Sequence, residues 1–249
     1  MNQATLDKMK AIRLHGMYDA FKTALEVGSS NDLTHDEFIA LLVEAEYNDR
    51  VDRKIHRLLK AARLRYPASM EKIIYDGSRK LDKNHIMRLV EFSFLEKGEN
   101  VLFTGQTGVG KSFLACAIGQ QACVEGYKVQ YFNTAKLMSY LKMAKADGSY
   151  IKEMLRLEKQ QLIILDDFGL QPFDAQSRLM LLDLVEDRHQ KASLIITSQI
   201  PVEQWYELID DKTIADALLD RIIHNAHRIN LEGESLRKKA SMKTLEKVY

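Results

Sequence analysis

The stretch Val101-Leu102-Phe103-Thr104-Gly105-Gln106-Thr107-Gly108-Val109-Gly110-Lys111-Ser112-Phe113-Leu114 decides how this chain folds. Val101–Thr104 reads as a buried strand, Gly105–Ser112 matches G-x-x-x-x-G-K-[ST] at every specified position, and Phe113, Leu114, Ala117 and Ile118 recur at helical spacing. This is the strand–loop–helix order that a phosphate-binding loop requires. Glycines let the backbone close around phosphate groups, and N–H groups at the start of the helix face the negative charge. Gly105, Gln106, Thr107, Gly108, Val109, Gly110, Lys111, Ser112 and Phe113 are therefore the expected nucleotide-binding residues. Lys111 is predicted to reach the β- and γ-phosphates, and Ser112 to offer an oxygen to Mg²⁺, a hard cation that takes few protein ligands beside phosphate and water.

Such a loop needs a carboxylate at the end of a second buried strand. Leu162-Ile163-Ile164-Leu165-Asp166-Asp167 supplies it as a Walker B pattern. Asp166 is expected to hold Mg²⁺ directly or through water, and Asp167 to orient or deprotonate the attacking water. A strand-end turn would also accommodate two such acids. A third strand, Leu194–Thr197, ends in Ser198-Gln199, where Ser198 is the candidate for sensing a γ-phosphate, ordinary turn chemistry being the alternative. Arg221 and Arg237 are candidates for neutralising charge on the transferred phosphoryl group, in cis or from an adjacent subunit, although either also suits a plain surface position.

Working outward, strand-like runs at Val101–Thr104, Val129–Phe132, Leu162–Asp166 and Leu194–Ser198 alternate with helical patterns from Lys111 and over 135–145, 149–160 and 174–190. The alternation predicts an α/β fold, a parallel sheet flanked by helices. Helical patterns over 203–209 and 213–224, a short strand near His227–Leu231 and a basic C-terminal helix complete this domain, placed at 98–249. Residues 1–66 read as a small all-helical N-terminal domain. Thr34 and Glu37 form a capping box that starts a helix of about 30 residues, or two helices joined near Asp49. Residues 67–97 are expected to be a linker with short helices.

Lys+Arg 36 against Asp+Glu 35 in 249 residues leaves a net charge of +1, so contact with nucleic acid must come from local segregation of charge. With 12 Gly and 3 Pro, collagen-like and low-complexity classes are excluded. No apolar run approaches the roughly 18 residues that a membrane span needs, and the first residues lack a basic-then-apolar export signal, so a cytoplasmic protein is expected. Cys116 and Cys123 lie about 10 Å apart along one helix, too far for a disulfide, and read as buried free thiols.

Arg50, Arg53, Lys54, Arg57, Lys60, Arg63 and Arg65 make the densest basic stripe, largely at three- and four-residue steps. It suits a solvated helix face, phosphate contact or a subunit interface. A second set, Lys136, Lys142, Lys145, Lys152, Arg156 and Lys159, is interleaved with Tyr140 and Tyr150 and opposed by Asp147, Glu153 and Glu158. From these two sets Arg50, Arg53, Lys54, Arg57, Lys60, Lys142, Lys145, Lys152 and Arg156 are the candidate DNA-binding residues, against the alternative of solvated helices. Nothing in them looks like a base-reading helix, which predicts recognition of phosphate and shape.

Leu14-His15-Gly16-Met17, the two Walker segments, Thr197-Ser198-Gln199-Ile200-Pro201-Val202 with Trp205, Ile214–Arg221 with His224-Asn225-Ala226-His227-Arg228, and Gly233-Glu234-Ser235-Leu236-Arg237 together resemble the IstB family. These are helper ATPases of insertion-sequence transposition, AAA+ proteins related to the helicase loader DnaC. The likeness spans nearly the whole chain. It implies a AAA+ P-loop NTPase core that binds ATP and Mg²⁺ between subunits of a homo-oligomer, assembles on duplex DNA and recruits or stimulates a transposase of the same element (IstA-like). It also implies sensor 1 at Ser198, an arginine finger at Arg221 and sensor 2 at Arg237. Only residues 232–249 follow the last strand, so the helical lid is expected to be reduced. The chain carries Asp167 where AAA+ ATPases commonly carry Glu, and the shorter side chain predicts slow turnover, raised by DNA or partner. A DnaC-like loader that binds single-stranded DNA and a replicative helicase is the alternative. A module that holds ATP without hydrolysis and a small-substrate kinase are the readings from other classes.

Overall fold

The computed structural model describes residues 2–28, 33–75 and 77–236. The chain divides into two compact units, Met1–Arg57 and Leu58–Tyr249.

The first unit is helical: α1 (Asn2–Ala11), α2 (His15–Val27) and the greater part of α3 (His35–Ala62). The capping box forms, with the Thr34 N–H donating to Glu37 Oε2 at 2.8 Å and the Glu37 N–H donating to Thr34 Oγ1 at 3.3 Å. α3 then runs without a break past Asp49. Gly16 explains the Leu14–Met17 segment physically, because a Cβ there would lie 2.2 Å from the Ala45 carbonyl oxygen of α3. The close approach lets the buried Glu46 carboxylate accept from the N–H groups of Gly16 (3.0 Å) and Met17 (3.3 Å), satisfying orphan donors at the start of α2. This unit ends at 57, ahead of the 1–66 boundary read from the helical pattern. Leu58, Leu59, Leu64 and Tyr66 pack against the core of the second unit, which takes them and residues 67–97 with it.

In the second unit α4 (Lys83–Leu89) and α5 (Ser93–Glu96) precede a five-stranded sheet. Its strands are β1 (Asn100–Gly105), β2 (Val129–Asn133), β3 (Leu162–Phe168), β4 (Ser193–Ser198) and β5 (Ala226–Leu231), in the order β2-β3-β4-β1-β5. Every pairing is parallel. Near-continuous burial along β1, β3 and β4 follows, since helices cover both faces of a parallel sheet. One face packs α6 (Lys111–Val124) around Leu114, Ile118 and the buried free thiols Cys116 and Cys123. The other packs α7 (Thr134–Ala146), α8 (Tyr150–Glu158), α9 (Ala175–Arg188), α10 (Trp205–Ile209) and α11 (Lys212–Ile223) around Leu137, Leu184 and Trp205. Loops after β1, β3 and β4 therefore meet at one edge of the sheet, the position where doubly wound folds bind ligands. Residues 232–236 follow β5; the expected C-terminal helix, and with it Arg237, lies outside the described residues. Among the described residues no helix is long and apolar enough to cross a membrane.

Candidate active site

The loop Gly105–Gly110 leaves the C-terminal end of β1 and enters α6 at Lys111. Its shape depends on glycine at two points in particular. Gly110 has φ +98° and a Cβ there would meet the Arg79 guanidinium at 2.7 Å, while Gly108 has φ +83° and would meet Ser235 Oγ at 2.2 Å. Both neighbours belong to the support of the loop. Buried Arg79 donates to the carbonyls of Ile74 (2.5 Å) and Val109 (2.6 Å), and the Leu236 N–H donates to the Gly108 carbonyl at 3.0 Å. Lys111 is itself buried and lies folded back, its amine donating to the carbonyls of Gly105 (2.7 Å) and Gln106 (2.8 Å). A cleft of about 440 Å³ opens over the loop. Arg65, Tyr66, Thr107, Gly108, Gly110, Lys111, Ser112, Phe113, Asp167, Leu170, Gln199 and Leu236 line it.

The acidic pair approaches this cleft through an irregularity in β3. β3 and β4 are in register from Leu162↔Ser193 to Leu165↔Ile196 and again at Phe168↔Ser198, so β3 spends three residues, 166–168, where β4 spends two. The extra residue is a bulge, with Asp167 in the left-handed region at φ +57°, a conformation aspartate tolerates better than most residues. Neighbours in a regular strand face opposite sides of the sheet. Here both carboxylates reach the same guanidinium: Arg65 Nη1 lies 2.9 Å from Asp166 Oδ2 and 3.2 Å from Asp167 Oδ2. The Asn133 amide holds Asp167 Oδ2 from the other side at 3.1 Å, and Thr197 Oγ1 accepts from the Asp167 N–H at 3.2 Å.

Asp166 is fully buried and receives a donor set to match. Ser112 Oγ (2.6 Å) and Thr197 Oγ1 donate to its Oδ1, and the Tyr131 hydroxyl (2.6 Å) and Arg65 donate to its Oδ2. Burial opposes ionisation, but the hydrogen bonds from Ser112, Thr197, Tyr131 and Arg65 outweigh it and hold the carboxyl below the usual aspartate range. Burial, with the Asp166 charge beside it, pushes the Tyr131 phenol well above its ordinary value, so it is a donor throughout the physiological range. Ser112 and Asp166 are thus two hard oxygen donors converging at the start of α6, a set that fits Mg²⁺.

The structure brings the loop, Lys111, Ser112, Asp166 and Asp167 into one cluster and leaves other candidates outside it. The Ser198 hydroxyl is buried, donating to the Phe168 carbonyl at 2.8 Å and accepting from the Ile200 N–H at 3.1 Å. Thr197 touches the acid instead, and Gln199 lines the cleft. Arg221 lies on α11, bonded to the Ala217 carbonyl (2.7 Å) and to Glu186 (2.8 Å), away from the residues of this cleft. Thr197, Tyr131, Asn133, Arg65 and Arg79 are the site residues that sequence reasoning missed.

The candidate DNA-binding residues are partly neutralised. Arg50 pairs with Glu46 (2.6 Å) and Arg53 with Asp49 (2.6 Å), and these two with Arg13, Lys54, Arg57 and Ile12 line a shallow basin in the first unit. Lys60 lies exposed on α3. Lys142 pairs with Asp174 (2.6 Å), Arg156 with Glu153 (2.8 Å), and Lys145 sits over the Tyr150 ring at 5.6 Å. Lys152 is exposed on α8.

A family model described as IstB-like ATP binding protein matches residues 7–244. A protein of Sinorhizobium fredii named for ATP binding in an insertion sequence is 43% identical over 240 residues, covering 96% of this chain and 98% of its own. A similarly named protein of Geobacillus stearothermophilus is 31% identical over 227 residues, covering 90% of each. Among solved structures, that of the DnaC helicase loader superposes with a TM-score of 0.58 at 20% identity, covering 71% of this chain and 99% of that one. AMPPCP-bound DnaA from Aquifex aeolicus gives 0.58 at 17% identity, covering 74% and 56%. At such identities the structural likeness speaks for the AAA+ fold alone.

Proposed function

From the premise that this chain belongs to the IstB-like ATP binding protein family, we propose that it is an ATPase of an insertion sequence. In this reading it multimerises on duplex DNA without strong sequence preference and recruits or stimulates the transposase of the same element. ATP hydrolysis controls that assembly. The observation that carries the nucleotide part is the joining of the two Walker segments through the 2.6 Å hydrogen bond from Ser112 to Asp166, beside a lysine held by the loop's own carbonyls.

The chemistry then divides among this chain's residues. Lys111 exchanges the carbonyls of Gly105 and Gln106 for phosphate oxygens, and the N–H groups at the start of α6 face the same charge. Ser112 and Asp166 would hold Mg²⁺, which when bound neutralises charge on the phosphates. Asp167 is placed by Asn133 and by the Thr197 hydroxyl to orient water at the open side of the cleft. Arg221 would act on the site of a neighbouring subunit, and Arg237 from the segment that follows Leu236. The basin of Arg13, Lys54 and Arg57 and the exposed face of α7 and α8 would contact phosphates, each weakly, with repetition over subunits supplying affinity.

Light scattering on matched duplex and single-stranded DNA of unrelated sequence, with and without ATP, tests this reading, with Lys111→Ala as control. ATP-dependent growth on duplex that the variant loses is expected. Preference for single strands would replace the reading with helicase loading, and growth that ignores ATP would refute it.

A further inference from the structure

Arg65 has no part in the nucleotide chemistry described above, yet it makes the closest charged contact of the acidic pair. α3 ends at Ala62, and Arg63 turns the chain through a left-handed conformation at φ 51°. The turn carries Arg65 off the helix face and onto the end of the sheet, with its guanidinium 5.4 Å from the Tyr66 ring centre. There it pairs with Asp166 and Asp167 at once. The arrangement fills Asp166: two donors on Oδ1 and two on Oδ2 occupy the roughly four lone-pair sites of a carboxylate. Ser112 would give up its share in holding a cation. Tyr131 and Thr197 are neutral and compatible with a cation nearby. A guanidinium about 3 Å from the same oxygen is not, because two positive charges at that spacing repel strongly in a partly buried site. Arg65 is also the member best able to leave, its side chain being 41% exposed against 0% for Asp166.

We propose that Arg65 is a latch on the cation subsite, a guanidinium that takes the divalent metal's place on Asp166, bracing Asp167 with the same group, and that the magnesium nucleotide must displace. It is a positioning residue: it keeps both carboxylates aimed at the subsite through one guanidinium, and it sets how much magnesium is needed to complete the site. Displacement also loosens the turn at Arg63–Tyr66, so the end of α3 responds to the nucleotide. The inference rests on the reading of Gly105–Ser112 as an ATP site and needs neither DNA nor a partner.

The test uses the full-length chain, a ribose-labelled fluorescent ATP analogue at fixed concentration, and a titration with MgCl₂. Arg65→Gln is expected to lower the half-saturating magnesium about tenfold, the equivalent of one lost competing contact, each protein being read against its own affinity for the nucleotide without magnesium. Arg65→Lys, which keeps the charge, is expected to stay near wild type. Unchanged or raised magnesium demand in Arg65→Gln would overturn the latch. Hydrogen exchange on the wild type gives a second readout without any variant: amides of residues 63–66 should exchange faster with magnesium nucleotide than with nucleotide alone, and equal protection would overturn it. Both measurements omit DNA, so failure of assembly on duplex refutes the transposition reading and leaves the latch standing. A wild type that binds no nucleotide would overturn both.

Discussion

Thr197→Val removes one oxygen at nearly constant volume from a fully buried position, and the structure says what that oxygen does. The hydroxyl donates to Asp166 Oδ1 and accepts from the Asp167 N–H, so it ties the buried acid to the bulge that presents its neighbour. Losing a hydrogen bond to a charged group costs about 1.5–3 kcal/mol, and leaving a partly buried N–H without its acceptor about 1–3 kcal/mol more. A total of about 3 kcal/mol is expected, because Asp166 retains Ser112, Tyr131 and Arg65. The chain's single tryptophan is a suitable reporter. Trp205 is fully buried in the second unit, and its ring centre lies 4.6 Å from that of Phe168, the residue that ends the bulge. In urea, at a slope of about 2–3 kcal/mol per molar, the Trp205 transition should move down by about 1 M or more. ATP turnover should fall with it under conditions where the variant remains folded, since Asp167 loses the contact that fixes its backbone. A Trp205 midpoint within about 0.2 M of wild type, well inside the effect of one hydrogen bond, would refute the assignment of Thr197.

Asp166 also predicts a pH dependence. Its folded-state pKa lies below the ordinary value, so the stability it contributes is present above the unfolded value of about 4 and is lost as pH falls through the folded one. Asp166→Asn should therefore flatten the acid limb of Trp205-monitored stability, and an unchanged limb would count against the donor set. In the first unit, Gly16→Ala places a methyl group 2.2 Å from the Ala45 carbonyl and should cost about 1–3 kcal/mol. The measurement is helical circular dichroism in urea, and an unshifted transition would contradict the close helix contact. Burial pushes the thiols of Cys116 and Cys123 up to about 11, so neither should react with dithiobis-nitrobenzoate in the native protein, while both should on denaturation.

The elements carried by local pattern were legible in the sequence. Continuous apolar runs marked β1, β3 and β4, the Thr34–Glu37 box marked the start of α3, and spaced glycines before Lys111 marked the loop, because each signal is complete within a few residues. What escaped depended on tertiary geometry. Strand alternation gives no warning of the bulge at Asp166–Asp167, beside which the Thr197 hydroxyl bonds the acid while that of Ser198 bonds the Phe168 carbonyl. By its sequence Arg65 belongs to a basic stripe at helical spacing. The left-handed turn at Arg63 takes it out of that helix and brings it to an acid 101 positions away. Tyr131 and Arg79 likewise reach the site from segments whose sequences carry no motif.

The most direct test of the central claim is steady-state ATP turnover of the purified chain with Mg²⁺, with and without duplex DNA, compared between wild type and Asp167→Ala. Slow hydrolysis that duplex raises in the wild type and that the variant loses under both conditions is the predicted result. Equal turnover in the two proteins would contradict the assignment of Asp167 and, with it, the account of this acidic pair as a hydrolytic site.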